Sequence, residues 1–273
     1  MSARVLAGVS SDDGAAQIRA FAGELGRVLG AEVDAVHVGD PAVFFPPGVR
    51  YVTGEPVAVL TREAAAPDVV AVVLGRSAKP SHQPIGRVAY RLLATLSRPV
   101  TVVPQGAPHP ERLGRVLVPL EGTRSSSLAP KRMIDIAATS GLDVLLLHVF
   151  DPETLPMFTD QPQHETEAWT REFLARYSPY PPESVRLQTC VGSVEVEVVR
   201  AAREVDADLV VLGWSQQLSS GRAPVVRAAL ESARVPVMLI PVLDTEQQLN
   251  HEPSAAVAMG AAGSPDDRPR PDR

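Results

Sequence analysis

Residues 53–75, TGEPVAVLTREAAAPDVVAVVLG, return as residues 191–213, VGSVEVEVVRAAREVDADLVVLG, with Gly54 matching Gly192 and Gly75 matching Gly213 at an offset of 138. Working outward, the openings RVLAGVS (residues 4–10) and RVLVPLE (residues 115–121) share an offset of 111, as do Gly30 with Gly141 and His37 with His148. Self-similarity of this kind reads as two copies of one structural unit. The two offsets differ by 27, which places an insertion of that length in the second copy, after its second strand.

Within each copy short Val/Leu runs alternate with longer amphipathic stretches, the pattern of β-α-β units around a parallel sheet buried on both faces. Strands are predicted at 5–9, 33–38, 50–53, 69–74 and 99–103, and again at 116–120, 144–149, 186–190, 209–212 and 236–240. A helix over 14–29 carries Ile18, Phe21, Ala22, Leu25, Val28 and Leu29 on one stripe, and 126–138 holds the equivalent place. Gly30 and Gly141 supply the helix stops. Right-handed crossovers leave few arrangements of such elements, so the expected fold is α/β, two tandem doubly wound five-stranded parallel-sheet sandwiches. The expected division is a first domain over 1–106 and a second over 113–243. The remaining 244–273 is rich in Pro, Gly and balanced charge, and reads as a disordered tail.

The insertion contains HETEAWTREFLARY, a predicted helix with Trp169, Phe173 and Tyr177 at spacing four, an aromatic stripe expected to cover the outer face of the second sheet. The first copy has only GDPAVFFPPG there, so its matching face is expected to be apolar and exposed, or sealed by Phe44 and Phe45 or by the other domain.

A net charge of −6 over 273 residues, without a concentrated Lys/Arg face, argues against a general nucleic-acid binder. The single cysteine, Cys190, excludes an intrachain disulfide and a Cys-rich metal site and is expected to pack in a strand. No apolar run approaches the roughly 20 residues that span a bilayer, and the N-terminus lacks a signal pattern, so a cytoplasmic protein is expected, with no membrane partner. His37 and His148 end matched strands without further ligands at metal spacing, and a structural role is expected for both.

The loops after the fourth strands read LGRSAKPSHQPIGRVAYRLLATLSRPVTVVP and LGWSQQLSSGRAPVVRAALESARVPVMLIP. Together with the strand-ending VHV and LHV, the run DLVVLG and the closing Pro-Val, in the same order twice, the chain resembles the universal stress protein family over nearly all of residues 4–242. In nucleotide-binding members of that family the loop reads Gly, two residues, Gly, nine residues, then Gly followed by Ser or Thr, and an Asp ends the first strand. Glycines there let backbone N–H groups approach phosphates at a helix start.

The resemblance implies candidate cofactor-binding positions at Ser10, Val38, Gly75, Arg76, Gly86 and Arg87 in the first copy and at Glu121 and Gly213 in the second. Both copies depart from the family pattern. Ser10 and Glu121 stand in place of the acid, and Ala78 and Gln216 in place of the second glycine. The first loop is two residues short and ends on Gly86-Arg87. The second is three short and ends on Ala223-Pro224, where proline has no amide hydrogen to offer and equally suits the first position of a helix. Arg87 reads either as a bidentate phosphate partner or as a surface arginine, and Arg76 likewise. Glu121 either meets an adenine or ribose group or organises a solvated turn with Thr123.

Two functions follow. The first is a regulatory tandem stress protein, not an enzyme, whose nucleotide binding is weak or lost. The second is an ATP-binding stress regulator with its site in the first domain, hydrolysing ATP slowly at most. An enzyme on a related nucleotide fold is disfavoured, since the chain has no His-x-Gly-His signature, Walker-type phosphate loop or Gly-x-Ser-x-Gly elbow. Expected partners are an unidentified protein, the two domains paired with each other, and a second copy joined through 100–103 or 237–240.

Overall fold

Alternate residues of one strand in this protein serve two different cores. On β1 (Arg4–Gly8), Leu6 belongs to one apolar cluster while Val5 and Ala7 belong to another, and on β4 (Val69–Gly75), Val72 and Leu74 divide in the same way from Ala71 and Val73. Successive strand side chains point to opposite faces, so such strands must be covered on both sides. A computed structural model describes residues 2–10, 14–39, 47–76, 85–108, 112–120, 124–150, 162–177, 184–216 and 223–242. The predicted tail, Phe44, Phe45, Ala78, Glu121 and Thr123 lie outside these residues.

The first half continues with α1 (Ala15–Leu29), β2 (Glu32–Val38), β3 (Val49–Val52), α2 (Pro56–Ala64), α3 (Arg87–Thr95) and β5 (Val100–Val103). The second half runs β6 (Arg115–Pro119), α4 (Arg124–Thr139), β7 (Asp143–Phe150), α5 (Pro162–Tyr177), β8 (Val185–Val191), α6 (Val194–Glu204), β9 (Leu209–Trp214), α7 (Pro224–Ser232) and β10 (Val237–Pro241). The predicted stripe of α1 is buried, and the helix ends at Gly30 in a left-handed turn whose N–H bonds the Gly26 carbonyl. Helix α2 starts with Pro56 at its first turn and the Glu55 carboxylate accepting from the Ala58 N–H at 2.8 Å, which satisfies one of the orphan donors of a helix start.

The sheet order is β3-β2-β1-β4-β5-β10-β9-β6-β7-β8. The expected five-stranded parallel arrangement therefore occurs twice, with the same order 3-2-1-4-5 in each half. All pairings are parallel except one: β5 and β10 meet antiparallel, with Val100, Thr101 and Val102 opposite Leu239, Met238 and Val237. The strand edges that the sequence left available to further chains are used on each other. Helices α1 and α4 cover one face, together with Phe173 of α5, and α2, α3, α6 and α7 cover the other.

The inserted helix behaves as its aromatic stripe predicts. Phe173 is buried and Trp169 half-buried, the two rings 4.9 Å apart, and both lie about 5 Å from the His148 ring. The side chain of Tyr177 lies outside the described residues. On the matching face of the first half Val33 and Tyr51 are exposed.

Candidate cleft at the first switch point

In an open α/β sheet the crossovers diverge where the strand order reverses, and a crevice opens at the carboxyl ends of the strands. In the first half that point lies between β1 and β4, and a cleft of about 450 Å³ opens there, within the usual range for small-molecule sites. Ser10, Val38, Gly75, Arg76, Gly86 and Arg87 all line it. The six first-half residues predicted from the sequence thus converge on one cavity. Apolar walls come from Val36, Leu60, Leu74 and Ile85. The described lining includes two arginines, Arg76 and Arg87, and no Asp or Glu.

The floor is organised by a repeated device. The His37 imidazole bonds the Val9 carbonyl at 2.9 Å, and His148 bonds the Leu120 carbonyl at the same distance. Each histidine ties the end of the second strand to the residue beyond the first, the structural role expected of both.

Gly86 is the N-cap of α3 at φ 82° and ψ 155°, a conformation that favours glycine, and a glycine cap brings no side chain of its own to the first amides. The first internal bond of α3 runs from the Tyr90 N–H to the Gly86 carbonyl. The amides of Arg87, Val88 and Ala89 therefore have no partner within the helix, and all three residues line the cleft. Arg87, at the first helical position, is exposed. Gly75 has a different reason for being glycine: a Cβ there would stand 2.8 Å from the Ile18 side chain, so it accommodates α1.

Arg76 lines the cleft, but its guanidinium is engaged elsewhere. Nη1 donates to the carbonyls of Leu230 at 3.1 Å and Glu231 at 2.9 Å, both in the last turn of α7. The sequence readings, phosphate partner or free surface arginine, both missed this bond across the two halves. Sequence reasoning also missed Gly8, Gln17, Pro56 and Gln105 in the lining. Gln17 carries a visible signal only in retrospect: it is a polar residue beside the apolar stripe of α1, and its side-chain amide meets the Gly106 N–H and the Ala107 carbonyl of the connecting segment.

The second half differs at each of these points. Gly213 lies in β9, and the next residue, Trp214 in place of Arg76, is 4% exposed within the α6/α7 core. Ala223 caps α7 at φ 46°, left-handed without being glycine, and Pro224 takes the first helical position. Proline removes one of the amides that α3 retains. Cys190 lies half-buried at the end of β8, its thiol pushed up by burial and by the neighbouring Glu197 carboxylate. Among the described residues no cluster of three metal-ligating side chains occurs, and no helix is long and apolar enough to cross a membrane.

The sequence model described as the universal stress protein family matches residues 113–241. A universal stress protein from Archaeoglobus fulgidus DSM 4304 superposes over 88% of this chain and 97% of its own at a TM-score of 0.62 and 12% identity. A functionally unknown protein from Pseudomonas aeruginosa PAO1 covers 90% and 95% at 0.62 and 13% identity. A putative universal stress protein from Pseudomonas aeruginosa UCBPP-PA14 covers 90% and 95% at 0.59, also at 13% identity. At such identities the likeness is one of fold. No curated protein sequence matches the chain. The match to the universal stress protein family thus falls on residues 113–241, and residues 4–103 repeat the strand order of that stretch.

Proposed function

We propose that this protein is a regulatory stress protein of two domains, 1–106 and 113–243, that binds one adenine nucleotide weakly in its first half and none in its second. The observation that carries this reading is the convergence of Ser10, Val38, Gly75, Arg76, Gly86 and Arg87 on a single cleft beside the glycine-capped start of α3. Helix-start amides without a partner in the helix and the Arg87 guanidinium favour an anion, while the apolar walls suit a base. Weakness follows from what the cleft lacks. The loop is two residues shorter than the phosphate-binding pattern, and Arg76 is already bonded to α7. Each missing charge-assisted contact costs on the order of 1.5–3 kcal/mol, so two losses move a micromolar site toward the millimolar range. In the second half Trp214 and Pro224 replace an arginine and a donor amide, which supports a vacated site.

Backbone amide NMR shifts of the full chain, titrated with ATP to about 10 mM, test this reading. Shifts should cluster on Val38, Gly86 and Arg87 and approach saturation only near millimolar concentration. A low-micromolar dissociation constant, or shifts centred on Gly213 and Ala223, would overturn it.

A further inference from the structure

The loops after the two fourth strands each reach across to the last helix of the other half. Arg76, one residue beyond Gly75, donates to the Leu230 and Glu231 carbonyls in the final turn of α7. Gln216, three residues beyond Gly213, donates through Nε2 to the Leu96 carbonyl at 2.6 Å, and Leu96 is the C-cap of α3. The last turn of a helix leaves carbonyls unpaired and carries the negative end of the helix dipole, so each strap meets a real demand. A cation is favoured there over a neutral donor.

Both straps lead to the same cleft. Arg76 lines it directly, and Gln216 holds the far end of α3, whose first turn lines it. The antiparallel ladder that joins the halves is three residue pairs long, and the straps add side-chain bonds to it and to the apolar cores that both halves share.

We propose that Arg76 is an anion-controlled latch: with the cleft empty it caps α7, and a phosphate-bearing ligand draws its guanidinium into the cleft, releasing the end of α7. The inference rests on the nucleotide reading of the cleft and adds a regulatory consequence to it. A phosphate carries full negative charge and accepts the guanidinium fork bidentately, whereas helix-end carbonyls offer only a partial charge. A ligand shifts such an equilibrium by its differential affinity for the two positions, and here that difference lies in the phosphate, not in the base. The second half has no equivalent charged latch, because Trp214 occupies the matching position and is buried.

Hydrogen–deuterium exchange of the full chain, alone, with about 10 mM ATP and with adenosine, separates the possibilities. ATP should speed exchange in the last turn of α7 about fivefold to tenfold while slowing it in the first turn of α3, and adenosine should leave α7 unchanged. In Arg76→Ala the end of α7 should exchange fast without ligand, and ATP should add nothing. Arg76→Lys, which keeps the charge and loses the fork, should lie between. If ATP protects α3 while α7 stays as slow as before, the latch fails and the nucleotide reading stands. If neither helix responds, both fail together.

Discussion

The two halves of the sheet share a strand order and diverge at one corner. In the first half the residue after the fourth-strand glycine is Arg76, the next helix begins at Gly86-Arg87, and a cleft lies open between them. In the second half the same corner carries a buried Trp214, and the helix begins at Ala223-Pro224. The scaffold tolerates both because the strands beneath are matched residue for residue: Leu6 and Leu117, and Val5 and Val116, are each fully buried at the same offset. The lesson is that parallel-sheet cores constrain the strands tightly while leaving the carboxyl-end loops free to keep, weaken or fill a site.

The outer faces diverge in the opposite sense. The second half covers β7 and β8 with α5, whose Trp169 and Phe173 stack around His148, while the matching His37 meets Tyr51 with ring centroids 5.9 Å apart. The half with the additional helix is also the half in which a buried tryptophan stands in place of Arg76.

The sharpest way to break the comparison is at the matched corner itself. Trp214→Ala should cost about 4 kcal/mol in denaturant unfolding, because it empties a buried indole site, whereas Arg76→Ala should cost about 1.5 kcal/mol for its lost helix-end bonds. Equal losses would mean that the two corners are built alike. Next in size, Phe173→Ala should lower stability by about 3 kcal/mol, read by the same unfolding measurement, and expose the sheet face as the first half does.

A smaller effect is expected in binding. Arg87→Ala should weaken ATP association by about fivefold in the NMR titration, roughly 1 kcal/mol, while Pro224→Ala should leave it unchanged, since restoring one amide leaves Trp214 in place of an arginine. A gain of second-half shifts in Pro224→Ala would show that the missing amide, and not the missing arginine, keeps nucleotide out of that half.

The smallest effect concerns acid. In the first half the Arg50 guanidinium, bonded to Glu63 at 2.7 Å, holds that carboxyl below its ordinary range against the opposing pull of burial. In the second half burial pushes the Asp143 carboxyl up, and hydrogen bonds from Arg115 and Arg186 more than offset it, so it too is held low. A depressed carboxylate contributes stability above its ordinary value of about 4, and that contribution is lost as pH falls through the lowered value. Both pairs are partly exposed, so the loss should be a few tenths of a kcal/mol each. Melting curves of Glu63→Gln and Asp143→Asn between about pH 5 and pH 2.5 should each show a slightly flatter acid limb than the parent chain.

Period and spacing in the amino-acid sequence already determined the repeated unit, ten strands to within one or two residues and the inserted helix, while six residues of one cleft came from the family resemblance. These are consequences of local pattern: a strand buried on both faces reads as a continuous apolar run, and a repeat carries its register with it. Helix α5 shows the same legibility, since the spacing of Trp169 and Phe173 alone places both on one face. Contacts between the copies, by contrast, are set by three-dimensional packing and leave no mark in the local pattern. Nothing in the spacing of Arg76 or Gln216 indicates that each caps a helix of the other half, more than a hundred residues away. The same holds for the antiparallel meeting of β5 and β10, because an edge strand presents unpaired backbone groups that any complementary edge can satisfy. Which edge does so, and which arginine is thereby withdrawn from the cleft, is a matter of three-dimensional packing.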